Sequence, residues 1–317
     1  MTTDDATTRL DPFDDLLDVL DLSRAGSARI SIDAPDDPES DLADSDADIF
    51  IGRSQPQPHG RAFGGQVLAQ SVIAAGRTMA DGDGARHIHS LHGYFLRPGD
   101  SNRPIRFAVE RMRDGRSFSA RRVHAIQNGK TILSMITSFQ DDAAGMDHQD
   151  AMPAAPDPEK LPTTAEELAG IDDPVAEHWS NRRAIDLRHV EDALFVTPGP
   201  QPAARQSLWL KAIRELPDDP LLHAAVLAYC SDYSLLEPVL RRHGIAWSDP
   251  RLRPASLDHA MWFHRPPRAD RWVLYTQESP SASGGRGLGI GRMFAQDGAL
   301  MATVAQEGML RLKQPPA

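Results

Sequence analysis

The chain has 317 residues, a net charge of −11 and one cysteine, Cys230. That length fits two domains of ordinary size, and a lone cysteine excludes an internal disulfide and fits a reducing cytoplasm. No apolar run reaches the ~18 residues of a membrane helix, the acidic start at Met1 is no secretory signal, and the end at Ala317 carries no recognised address.

In chain order, residues 1–50 hold 15 acids against 3 bases and read as an acidic arm. Within it Phe13, Leu16, Leu17 and Leu20 share a helical face, which predicts a short helix over 11–22. Residues 31–48, rich in Asp, Pro and Ser, are expected to be loop, and 49–52 a short strand. Gly64-Gly65 opens an apolar helix running to about Met79. Strands are expected at 87–96, 105–113, 118–126 and 131–139, the last two joined by the hairpin pair Asn128-Gly129. Residues 86–130 hold 10 bases against 3 acids, which suits a phosphate-bearing ligand or simply Arg stems coating a sheet. No nucleic-acid motif accompanies them, so no nucleic-acid partner is expected. Residues 141–200, rich in Ala, Asp and Pro, read as a linker with one or two short helices. The pattern then returns: a strand at 207–213, a helix at 220–233, and strands at 255–264, 272–278, 287–295 and 300–312.

The return is a duplication. Ser90-Leu91-His92-Gly93-Tyr94-Phe95-Leu96-Arg97-Pro98 matches Ser256-Leu257-Asp258-His259-Ala260-Met261-Trp262-Phe263-His264-Arg265-Pro266. Val67-Leu68-Ala69 recurs at Val226-Leu227-Ala228, and Asn128-Gly129 at Asp297-Gly298. Each half is strand, long helix, then antiparallel strands, and an apolar helix needs burial. The expected fold is α+β: a tandem, or double, hotdog, each half an antiparallel sheet wrapped around a central helix. The expected boundaries are an acidic arm at 1–48, a first hotdog at 49–140, a linker at 141–200 and a second hotdog at 201–317. Edge-to-edge pairing of the halves would remove exposed sheet edges.

The second copy carries polar groups that the first lacks. Asp232 continues the helical series Leu222, Ala225, Tyr229, and an Asp on an apolar face is costly unless paired, capping or functional. Its partner by the Val-Leu-Ala match is Ile73. Gln306, in the last strand, matches Thr137. Ser256 lies in no nucleophile elbow, so it is not expected to be a nucleophile. Asp258 and His259 are adjacent and would point to opposite faces of a strand. His89, His92 and His264 lack zinc spacing, so no metal is expected, and Cys230 reads as an inert buried thiol.

Phe63-Gly64-Gly65-Gln66-Val67-Leu68-Ala69-Gln70 and His89-Ser90-Leu91-His92-Gly93-Tyr94-Phe95-Leu96-Arg97-Pro98-Gly99-Asp100 resemble the acyl-CoA thioesterase II family. So do Leu257 to Pro266 and Gln306-Glu307-Gly308, and the resemblance covers about residues 10 to 312. It implies a double hotdog that hydrolyses acyl-CoA with a water held by an Asp, a hydroxyl residue and a Gln. Those positions match Asp232, Ser256 (Thr in many members) and Gln306. It implies an acyl-CoA substrate, no cofactor, no membrane span and a homo-oligomer, a dimer or tetramer of double hotdogs. In that chemistry Asp232 acts as base or orients the water, Ser256 and Gln306 fix it, and N–H groups near Gly64-Gly65 steady the oxyanion. A double-hotdog enoyl-CoA hydratase and a non-catalytic acyl-CoA-binding module are the alternatives.

Overall fold

The computed structural model of the protein describes residues 10–30, 45–79, 86–195, 197, 199 and 202–313. Among the described residues thirteen strands form one antiparallel sheet, whose path is β1 (Ser23–Ile30), β2 (Ser45–Gly52), β4 (Ile105–Asp114), β5 (Phe118–Gln127), β6 (Lys130–Gln140) and β3 (His87–Phe95). It continues through β10 (Asp258–Phe263), β13 (Leu300–Leu312), β12 (Arg286–Ala295), β11 (Val273–Ser283), β8 (Arg205–Ala212) and β7 (Ile185–His189). β9 (Leu252–Ser256) pairs with the far end of β13. The halves join where β3 meets β10, with His92 opposite Ala260.

Two long helices fill the concave side. α2 (Gly64–Arg77) and α5 (Pro220–Ser231) are apolar on nearly every face, and each is buried along most of its length. They run antiparallel: Gly64 sits at Asp232, beyond the end of α5, and Gly76 sits on Leu221 at its start. One core cluster draws on both helices and both halves, from Phe13 to Val304. Truncating a fully buried member such as Leu227 to Ala would cost about 2–5 kcal/mol.

The predicted elements are present with ends moved by a few residues, and the differences have physical causes. The early helix is α1 (Pro12–Leu20), with Asp11 accepting from the Phe13 N–H. β1, in the stretch read as an arm, pairs with β2 through a bulge at Gly26, which has φ +124°. Residues 45–48, expected to be loop, are strand, because buried Asp48 is held by Arg24 and by Arg111 at 3.0 Å. The remainder of that expected loop, 31–44, lies outside the described residues. In the expected linker lie a 3₁₀ turn (Pro158–Lys160), α3 (Thr164–Glu167), α4 (Pro174–Asn181) and the unexpected β7, which adds to the sheet beside β8. α6 (Glu237–Arg242), a short buried helix after α5, was also not expected.

Candidate active site

The expected strand 255–264 is two strands, β9 and β10, both paired with β13. Ser256 stands opposite Gly308, whereas Ala260 stands opposite Ala305, so one extra residue is inserted at Leu257. Strict alternation would send Ser256 and His259 to opposite faces; the bulge turns both inward, beside Gln306. Backbone bonds from Leu257 N–H to the Glu307 carbonyl and from Phe95 N–H to the Leu257 carbonyl, each 2.9 Å, hold the bulge.

The structure brings the three expected residues together. Gln306 Nε2 donates to Ser256 Oγ at 2.9 Å, and Ser256 Oγ lies 3.4 Å from Asp232 Oδ1. Asp232 is the residue that ends α5, in αR backbone conformation. Burial pushes its carboxyl up to about 6, while hydrogen bonds from Gln306, the Gly65 N–H and Ser256 pull the other way. A carboxylate poised there is ionised at neutral pH yet basic enough to take a proton. The N-terminus of α2 abuts it: Phe63 precedes the helix and supplies no side-chain cap, leaving that end to its surroundings. The Gly65 N–H, expected to meet an oxyanion, here meets the Asp232 carboxylate itself.

Sequence reasoning missed His259. It is fully buried, bonds Gln306 Oε1 through Nδ1 and meets Ser231 Oγ through Nε2 at 2.8 Å. Burial lowers its pKa to about 4, so the ring is neutral. An N–H on Nδ1 fits the amide oxygen of Gln306, which turns the NH2 group toward Ser256. Its place opposite Gln306 follows from the strand register, which the letters alone do not carry. Asp258 points away and accepts from the Glu307 N–H at 2.7 Å. Cys230 is buried, which pushes its thiol up, in keeping with an inert role.

Register corrects the pairing of the halves. β3 carries the same one-residue bulge against β6, between Ile88 opposite Phe139 and Ser90 opposite Ser138. Ser256 therefore corresponds to Ile88 rather than Ser90, and His259 to Leu91, while Gln306 still corresponds to Thr137. Helix ends correct it further. The residue ending α2 in the same αR conformation is Thr78, so Asp232 corresponds to Thr78 rather than to Ile73, which lies inside the helix. Arg121 fills the first-half counterpart: its side chain is buried, donates to Thr78 Oγ1 at 2.7 Å and pairs with Asp114 at 2.7 Å. The N-terminus of α5, which faces that place, begins with Pro220 and is capped by Asp219.

A cavity of ≈1370 Å³ opens at Asp232, Ser256 and Gln306 and extends past Phe63, Tyr229 and Tyr233. No group of three or more metal-ligating side chains is found among the described residues. No helix among them is long and apolar enough to cross a membrane.

The family model described as Acyl-CoA thioesterase matches residues 183–309, and that described as Acyl-CoA thioesterase N-terminal domain matches 53–140. The chain is 40% identical to acyl-coenzyme A thioesterase 8 of Homo sapiens, over 84% of this chain and 86% of that protein. Among solved structures it resembles acyl-CoA thioesterase II TesB2 from Mycobacterium marinum, with TM-score 0.72, 41% identity and coverage of 96% and 99%. A conserved protein with a hot dog fold from Alicyclobacillus acidocaldarius shares the fold at 18% identity, with TM-score 0.70 and coverage of 96% and 99%.

Proposed function

The chain belongs to the acyl-CoA thioesterase II family, a tandem hotdog that hydrolyses acyl-CoA thioesters, and from that premise we propose that Asp232, Ser256 and Gln306 hold and activate the attacking water. The observation that carries the proposal is the convergence of a carboxyl with pKa about 6, a hydroxyl and an amide on one cavity wall at a helix N-terminus. Water bound to ionised Asp232 gives up a proton as its oxygen bonds to the thioester carbon. Ser256 and Gln306 fix the water's position, since each offers a neutral donor and acceptor. The carbonyl oxygen gains charge, which the positive end of the α2 dipole stabilises while the Gly65 N–H stays on Asp232. The C–S bond then breaks; the thiolate of CoA leaves and takes up a proton, and the free acid remains. His259 is fully buried and turned to Gln306, so this imidazole does not stand open beside Asp232 as a hydratase's would need to.

The domain division extends the proposal: hotdog units at 49–140 and 201–317, an arm before them and a linker at 141–200. The separate family-model matches at 53–140 and 183–309 support two units, the second match beginning, with β7, before residue 201. We also propose a homo-oligomer. Tyr94, Ile136 and Trp262 are exposed on the neighbouring strands β3, β6 and β10, and an apolar patch on a sheet's outer face favours association. Cytoplasmic residence rests on the single buried thiol. The test of the activity is free-thiol release from acyl-CoAs of graded chain length. Release at one or more lengths is expected; binding without release at every length would leave a non-catalytic module.

A further inference from the structure

The cavity wall away from Asp232 carries charge that hydrolysis does not use. Arg183 follows the end of α4. Its guanidinium lies over two rings, with Cζ 4.1 Å from the centre of Trp179 and 4.4 Å from that of Tyr233. The two ring contacts hold the fork, while the side chain lines the cavity. Arg182 lines it too, and neither arginine is ion-paired with any described residue. The carboxylate nearest in charge, Glu237, is committed elsewhere: it accepts from Gln206 at 2.7 Å and Trp247 at 2.8 Å and lies 3.4 Å from His189. His178, on α4, is held down to about 4 by burial and by Arg183 and Arg182, so it is neutral and adds no further positive charge. A guanidinium without an anion is costly in a partly desolvated wall, and a planar fork held by ring contacts suits an oxyanion.

The fork is also in line with the reacting centre. Tyr233, chain neighbour of Asp232, stacks on Phe63 at 4.9 Å and 21°, and Phe63 precedes Gly64 at the start of α2. Arg183 therefore sits two ring layers from the helix end where the thioester is held. We propose that Arg183, with Arg182 beside it, receives an oxyanion carried by the acyl-CoA substrate away from its thioester. Two parts of a substrate offer that chemistry: a phosphate of CoA, or a terminal carboxylate on the acyl chain. This rests on the reading of Asp232, Ser256 and Gln306 as the hydrolytic centre.

The test compares wild type with Arg183→Met, which keeps a chain over the rings, and Arg183→Lys, which keeps charge without the fork. Three substrates of equal chain length are used: a plain acyl-CoA, the mono-CoA ester of an α,ω-dicarboxylic acid, and the acyl-pantetheine, which has no phosphate. Loss of one charged hydrogen-bonding group should raise KM roughly ten- to a hundred-fold with kcat within about two-fold. A CoA phosphate is the source if KM rises for both CoA esters and not for acyl-pantetheine. A terminal carboxylate is the source if it rises for the dicarboxylic ester alone. An equal rise on all three substrates, or none on any, overturns the proposal. Affinity for the non-hydrolysable thioether analogues, measured by calorimetry, decides the same question without turnover. Wild type inert on all three substrates would count against the hydrolytic reading, and the thioether affinities would still decide Arg183. If Arg183→Met does not fold, Arg183→Lys, read on the same substrates, decides by the same pattern.

Discussion

At Asp232 two demands oppose each other: burial disfavours the charge, and the proposed reaction needs it. Its carboxyl is raised to about 6 from 3.8 because burial outweighs the bonds from Gln306, Gly65 and Ser256. A carboxyl whose folded pKa is raised binds its proton more tightly in the folded state. Stability is therefore lost as pH climbs from about 4 through 6, and at about 1.4 kcal/mol per pKa unit the loss is at most ~3 kcal/mol. Asp232→Asn should thus raise the thermal midpoint at pH 8 and leave it little changed at pH 4, as calorimetry at the two pH values would reveal. Catalysis has the opposite sign: kcat/KM for acyl-CoA should rise with pH to a plateau, with an apparent pKa near 6. A flat profile between pH 5 and 7 would remove Asp232 as the base. Around it, Ser256→Ala and Gln306→Ala should lower kcat far more than affinity, whereas Ser256→Thr should be mild because the hydroxyl remains. His259→Leu should resemble Gln306→Ala in kcat, since it frees the Gln306 amide to turn; steady-state kinetics at saturating substrate would show whether it does. Asp232 and Gln306 were legible as candidates because each is more polar than the residue it matches in the first half, and Ser256 was legible only through the family resemblance. His259 was not, because strict alternation sends it away from Ser256, and one residue of bulge at Leu257 reverses that.

Between elements, the site depends on how closely α2 and α5 approach. A Cβ on Gly65 would collide with the Tyr229 carbonyl, a backbone atom that cannot swing aside. Gly65→Ala should therefore cost about 1–3 kcal/mol and lower turnover, because α2 must move away from Asp232. Urea unfolding read beside thiol release would show both losses, and a variant of wild-type stability and rate would refute the close packing. The central strands and both long helices were legible from periodicity, and so were the hairpins: Asn128-Gly129 takes φ +50° and +71°, as such a turn requires. β1, reading Ser-Arg-Ala-Gly-Ser-Ala-Arg-Ile, has almost no apolar alternation, and its place comes from pairing with β2. β7 does alternate in burial but has only five residues, and α6 has six with Pro238 near its start, so each is too short for periodicity to register. The string match that paired Ser90 with Ser256 failed because similarity of letters ignores register, whereas hydrogen-bonded partners do not.

For the whole molecule, duplication has produced asymmetry. The first half offers Thr78, Ile88, Leu91 and Thr137 where the second has Asp232, Ser256, His259 and Gln306, and Arg121 fills the space. A non-hydrolysable acyl-CoA analogue should bind productively at one site per chain, and calorimetric titration giving two equivalent sites would contradict this. The patch of Tyr94, Ile136 and Trp262, where Trp262 meets His92 edge-on at 5.1 Å, should be covered in an oligomer. Tyr94→Lys with Trp262→Lys should then lower the mass measured by light scattering, and an unchanged mass would place the contact elsewhere. The central claim is one hydrolytic site per chain, worked by Asp232. It is tested most directly by the rate of thiol release from acyl-CoA at pH 8 by folded Asp232→Asn beside wild type. The account predicts a fall of roughly 10²–10⁴-fold. A variant that keeps half of the wild-type rate or more would contradict it, because either the first half is also live or Asp232 is not the base.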